Sequence, residues 1–239
     1  MVDANMWLYF DDKGNIADSN LLFKIGKLKH LEELQNGSLY MNKLSSFRKY
    51  ETEGMGDKEE GLFTRFTEGI LYVNGIEIGE VKNGETFLFD NAPVFCLASV
   101  PLQKVGEKNY EYVISREMLE DFMQDDGEEY GILLIRKDFF VEKIKNVLDE
   151  SGDAWYWDKV NYSDERPSFP KNESYKIAFQ KRMKFSHQNE WRLVLYIDID
   201  DFYRLEIGSL EGGSFLKPIK SIDDDIKIEY LIKEKRNDG

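Results

Sequence analysis

Between Phe63 and Phe89, two Asn-Gly pairs (Asn74-Gly75 and Asn83-Gly84) punctuate runs of alternating and β-branched residues. Asn and Gly both tolerate the left-handed backbone of a two-residue turn, so Asn-Gly between alternating runs marks a tight strand reversal. Ile70-Leu71-Tyr72-Val73, Ile76-Glu77-Ile78 and Thr86-Phe87-Leu88-Phe89 therefore read as strands of a β-meander. This helix-free run leaves no room for a nucleotide-binding βαβ unit and turns the chain away from parallel, doubly wound folds.

The segments on either side mix short strands with short helices. Strands are predicted over residues 7–10 and 21–25, with the turn-prone Asp11-Asp12-Lys13-Gly14-Asn15 after the first. Leu28, Leu31 and Leu34 recur at helical spacing, Asn36-Gly37 supplies a left-handed stop, and a strand follows over 38–42. Residues 47–61 read as a charged loop with a short helix at most. Downstream, strands are predicted over 92–100, 130–135, 157–162, 191–198 and 226–232, the last leading into a charged tail. Helices are predicted over 115–123, capped by Ser115, over 139–148, with Phe140, Ile144 and Leu148 on one face, and over 175–184. Residues 150–173, with Pro167 and Pro170, read largely as an irregular connection. The expected fold is one α+β domain over residues 1–239, a curved and mainly antiparallel sheet with a few flanking helices.

Composition narrows the function classes. Hydrophobic residues make up 41% of the chain and aromatics 14%, enough for a packed core. Acidic residues outnumber basic ones 46 to 32, a net charge of -14, and such a surface repels a phosphate backbone. That balance suits a soluble surface or a basic protein partner. Cys96 is the sole cysteine and lies in the apolar run Val94-Phe95-Cys96-Leu97-Ala98, so no internal disulfide can form and a buried thiol is expected. With His30 and His187 as the only histidines, no metal site is expected. No apolar run is long enough for a membrane helix, and residues 1–5 lack the start of a signal peptide, so a cytoplasmic location is expected.

The richest segment chemically is Phe185-Ser186-His187-Gln188-Asn189-Glu190-Trp191-Arg192-Leu193-Val194. A polar turn there brings Gln188 and Glu190 to one side of an incoming strand, with Arg192 continuing that side. A fixed carboxylate at a strand mouth can bind a ribose hydroxyl and stabilise the cationic carbon formed when a glycosidic bond to nicotinamide breaks. The same spacing also suits a plain ion pair on a sheet face. A second constellation joins Arg48 to Asp57 and Glu60, three residues apart, which one helical turn would present together to a ribose, an arginine or a hard cation. A solvated loop is the alternative. Lys24, between Phe23 and Ile25, faces away from both, either toward solvent or toward a diphosphate.

Several of these pieces resemble an uncharacterised bacterial and phage domain family. They are Leu22-Phe23-Lys24, Leu39-Tyr40-Met41-Asn42 through Ser46-Phe47-Arg48, and Gly56-Asp57-x-x-Glu60-Gly61. Phe95-Cys96-Leu97-Ala98-Ser99, Tyr130-Gly131-Ile132, Val160-Asn161-Tyr162 and Phe179-x-Lys181 before Glu190-Trp191-Arg192-Leu193 continue the likeness in order. Residues 100–105 stand where that family carries Met-Trp-x-x-Tyr. In layout the chain also resembles ADP-ribosyltransferases: strand, short helix, Gly, strand at the front, and Gln188-x-Glu190 before a late strand. That resemblance implies NAD as cofactor, Glu190 as the catalytic glutamate oriented by Arg192, and Gln188 on the acceptor side. It further implies Lys24 and Arg48 on the phosphates, with Asp57 and Glu60 lining the site. It lacks the early-strand His or Arg and the Ser-Thr-Ser strand of those enzymes. The rival expectation is a non-catalytic phage or prophage protein that docks a host or defence protein through its acidic surface.

Overall fold

The structure, a computed structural model, describes residues 8–10, 16–19, 21–53, 56–73, 75–99, 102–104, 109–123, 126–165, 169–219 and 226–231. Trp7, the predicted turn at 11–15, Asn74, Val100, Pro167 and the charged tail at 232–239 lie outside the described residues.

A small ribbon of β1 (Leu8–Phe10) and β2 (Ile16–Ser19) comes first. It is followed by β3 (Leu21–Lys27), α1 (Leu28–Gln35) and β4 (Ser38–Lys43), the unit expected from the leucine spacing. Gly37 ends α1 at φ 101°, and a Cβ there would lie 2.2 Å from the Gly208 carbonyl oxygen, so only glycine fits this crossing. A 3-10 segment, Leu44–Glu53, is longer than the loop reading allowed.

β5 (Leu62–Val73) and β6 (Ile76–Phe87) then form one long hairpin in a sheet of its own, not a meander. The chain reverses between Val73 and Ile76, which pair with each other, but Asn83-Gly84 lies inside β6, where Gly84 still pairs with Phe66. Asn83 takes a left-handed φ of 51° without reversing the chain. Continued cross-strand pairing overrides the turn signal there.

β7 (Pro93–Ser99) returns to the main sheet. β8 (Leu102–Lys104) and β9 (Asn109–Ile114) lead to α2 (Arg116–Phe122), whose first turn is capped by the Ser115 hydroxyl accepting from Met118 N. β10 (Tyr130–Arg136) and α3 (Lys137–Ser151) follow, with Phe140, Ile144 and Leu148 buried as predicted. The last third carries β11 (Trp155–Lys159), β12 (Asn161–Tyr162), β13 (Gln180–Lys181) and β14 (Glu190–Leu195). It ends with β15 (Phe202–Glu206), β16 (Ser214–Ile219) and β17 (Ile226–Leu231). The helix expected over 175–184 is instead two 3-10 segments, Lys171–Phe179 and Met183–Gln188, either side of β13. Arg192 takes the Ala178 carbonyl, which an α-helix would have reserved for an amide four residues on.

The fold is α+β, built on an open, curved eight-stranded sheet in the order β11-β14-β7-β3-β10-β16, with β4 and β15 off one side. Its ladders are antiparallel; the short β12-β13 pair is parallel. Alternation along β3 divides the core. Leu22 joins a cluster with α1 and α3, while Leu21, Phe23 and Ile25 join Met118 and Leu119 of α2 in another. Helices thus cover both faces.

Candidate functional site

The site forms where the sheet forks. β3 stays beside β10 along its whole length, from Leu21 opposite Arg136 to Lys27 opposite Tyr130. It meets β7 only at Leu22–Ser99 and Phe23–Ala98, and β4 meets β7 only at Asn42–Val94 and Lys43–Pro93. Among the described residues, no strand pairs with residues 95–97 of β7 on that edge. A cavity of about 690 Å³ opens there, lined by Phe23, Lys24, Cys96, Lys181, Gln188 and Glu190, with Lys27, His30, Phe122 and Tyr130 among the other residues around it. This volume is within the range of small-molecule sites.

Behind one wall lies a buried ionic cluster centred on Arg192, which is 0% exposed. Its Nε donates to Glu190 Oε1 at 2.7 Å and its Nη2 to Glu190 Oε2 at 3.3 Å. Nη1 and Nη2 grip Glu60 at 2.8 and 2.6 Å, and Nη1 also reaches the Ala178 carbonyl at 2.6 Å. Those five bonds use every donor of the guanidinium. Lys181 Nζ donates to Gln188 Oε1 at 2.6 Å and to Glu190 Oε2 at 3.2 Å, and lies 4.0 Å from Glu60. Two cations and two carboxylates balance with all four side chains buried, the condition under which buried charge is tolerated. Burial opposes the charge on Glu190, yet Arg192 and then Lys181 outweigh it and hold the carboxyl well below its ordinary range. Burial likewise opposes the charge on Arg192, and Glu190 and Glu60 overcome it.

The local backbone explains the placement. Asn189 turns the chain at φ 45° between the 3-10 segment and β14, so Gln188 and Glu190 both reach Lys181 although they belong to different elements. Asn189 is locked to the end of β7: its Nδ2 donates to the Ser99 carbonyl at 2.6 Å and its own carbonyl accepts from Ser99 N at 3.0 Å. Glu190 N donates to the Tyr162 hydroxyl at 2.9 Å. Burial and then the Glu190 charge push the Tyr162 phenol upward. Glu60 reaches inward because Gly61 follows at φ 72°, where a Cβ would meet the Leu88 carbonyl oxygen at 2.7 Å.

Across the fork, Lys24 Nζ donates to the Cys96 carbonyl at 2.8 Å and lies 4.9 Å from the centre of the Phe95 ring. Burial pulls the Lys24 amine below its ordinary value, against the upward pull of Cys96 and Glu190. Burial pushes the Cys96 thiol up, with Glu190 adding to the shift, so the thiolate is strongly disfavoured.

The fork unites Lys24, Gln188 and Glu190 around one space, and Arg192 fixes Glu190 from behind. Glu60 pairs with Arg192 and is not among the cavity-lining residues. Asp57 turns elsewhere: its carboxylate accepts from Arg182 N at 2.9 Å and from Arg182 Nε at 2.6 Å, beside a separate hollow of about 40 Å³. Arg48 holds Asp90 and the Glu60 carbonyl and stacks over Phe87, so it braces Glu60 and lies off the cavity. The pairing of Asp57 with Glu60 on one helical turn gives way to a turn that sends them to two arginines. Lys181 has no role in the sequence reading. Its one signal was its place two residues after Phe179, ahead of the Glu190 strand.

Among the described residues no group of three or more His, Cys, Asp or Glu side chains is placed to hold a metal ion, and no helix is long and apolar enough to cross a membrane. No family model, curated protein or solved structure matches this chain.

Proposed function

We propose that the fork cavity binds a dinucleotide and that the chain carries out ADP-ribosyl transfer from NAD, with Glu190 facing the nicotinamide-side ribose. One observation carries the reading: Glu190 and Gln188 on one wall and Lys24 on the other line a single cavity. Breaking the glycosidic bond to nicotinamide leaves positive charge on the ribosyl carbon. A carboxylate kept ionised and fixed in direction stabilises that charge without reorganising. Arg192 serves this chemistry as a positioning residue, since it holds both oxygens of Glu190 and its guanidinium is fully buried. A phage, prophage or defence setting goes with this reading.

The test is to titrate NAD while following thermal unfolding, and to measure nicotinamide release. Saturable stabilisation is expected, about 2.7 kcal/mol at a hundredfold excess over Kd. The Glu190→Gln variant, held where circular dichroism shows it folded, should release nicotinamide at least ~100-fold more slowly. A melting curve indifferent to NAD, with no nicotinamide release, overturns the reading.

A second reading is favoured by a different feature. Ile70, Tyr72, Ile76 and Ile78 of the hairpin are 53–68% exposed on a chain of net charge -14. This is the makeup of a protein that docks a basic partner. Reversing surface carboxylates should then weaken capture of that partner, most steeply at low salt.

A further inference from the structure

We propose that Lys24 is a reactive amine that captures the aldehyde of a small polar molecule in the fork cavity as an imine. The inference rests on the cavity admitting a ligand and not on that ligand being NAD. Among the described residues, Lys27, Lys29, Lys176 and Lys181 each lie within 4 Å of a carboxylate, whereas Lys24 has no such partner. Its Nζ is held by a neutral carbonyl and an aromatic ring at the fork of the sheet. A cation so placed is poorly compensated, and burial lowers its proton affinity. A lysine desolvated beside apolar groups is the form in which this side chain acts as a nucleophile.

The geometry suits that role. One N–H of the neutral amine donates to the Cys96 carbonyl, which leaves the nitrogen lone pair free for a carbonyl carbon in the cavity. The lone pair forms the N–C bond while the C=O π pair moves to oxygen. A proton passes from nitrogen to that oxygen to give the carbinolamine. Loss of water then leaves the C=N bond, so amine and aldehyde become imine and water with no oxidant or reductant. Lys181, Gln188 and Glu190 on the facing wall would hold the polar remainder of the ligand. Cys96 is not a rival nucleophile, because burial and the neighbouring Glu190 charge keep its thiol protonated.

The experiment is reductive trapping on the whole chain at pH 7 with cyanoborohydride, using formaldehyde as the smallest probe and pyridoxal 5′-phosphate as a larger anionic one. Modified lysines are mapped by peptide mass spectrometry. Both probes should modify Lys24 at least ~10-fold faster than the exposed Lys29 and Lys145, because the desolvated amine holds its proton less tightly. That advantage should shrink as the pH approaches 10, where exposed lysines also lose their proton. Lys24→Arg should remove the fast site and leave the slow ones. Equal rates at Lys24 and the exposed lysines with both probes would overturn the proposal. Fast methylation by formaldehyde without reaction of the larger aldehyde would overturn the ligand class. If NAD leaves the melting curve unchanged while Lys24 traps both aldehydes, the dinucleotide reading fails and this one stands.

Discussion

The Arg192 cluster and the β5–β6 hairpin divide charge and apolar surface in opposite ways. Around Arg192 four charged side chains are buried and every guanidinium donor is matched, so removing one partner leaves another charge stranded. On the hairpin, large apolar side chains stand in solvent on a ribbon of two strands among the described residues, an arrangement marginal on its own in water. In the first region burial depends on complete pairing; in the second, exposure leaves almost nothing for a single residue to contribute. Stability should therefore be concentrated at the cluster and nearly absent from the ribbon.

The largest effect belongs to Arg192→Met, which strands Glu60 and Glu190 in the interior. It should cost about 3–5 kcal/mol in chemical denaturation. A loss below 1 kcal/mol would mean that water enters the cluster. Glu60→Gln keeps the shape and part of the bonding, and should cost about 2 kcal/mol by the same measurement. Its effect should fall well short of additive with Arg192→Met, since the two residues share one network.

Acid sharpens the contrast. The folded-state pKa of Glu190 lies below its unfolded value, so the unfolded chain binds more protons as the pH falls. The stability contributed by Glu190 is full above the ordinary carboxylate range, near ~4, and is lost below it. Unfolding curves from pH 6 to pH 2 should show that loss in the wild type and a flatter profile in Glu190→Gln. Lys24 runs the other way at alkaline pH. Its lowered folded pKa means that stability rises with pH between that value and about 10.4. Lys24→Met should erase the rise. The smallest change is expected at the ribbon: Ile76→Ser should shift stability by no more than about 0.5 kcal/mol. A larger loss would show that a second molecule covers the ribbon in solution.

Much of this architecture was legible in local signals. The unit β3-α1-Gly37-β4, the Ser115 cap and the buried face of α3 each depend on residues within one or two turns of one another. The cluster does not. Glu60 and Arg192 are 132 residues apart, and nothing local to either selects the other. Gln188, Glu190 and Arg192 could be grouped because a turn and a strand place them close in sequence, but Lys181 needed the unforeseen 3-10 geometry to reach them. The fork was equally hidden, because it arises from β3 following β10 and leaving β7, a choice between ladders that alternation cannot express. The misread Asn83-Gly84 teaches the reverse: a strong local signal yields when pairing continues past it.

The position of β7 also has a consequence during synthesis. Its strand neighbour on the unforked side is β14, joined through Ala98 and Glu190, 92 residues later in the chain. At about 5–20 residues per second, β7 leaves the ribosome roughly 5–20 s before that partner exists. For that interval an apolar strand has one bare edge along its whole length and a half-open one on the other side, the state most prone to pair with a neighbouring nascent chain. Yield in the cell should thus depend on elongation rate and chaperone supply as much as on the stability of the finished fold.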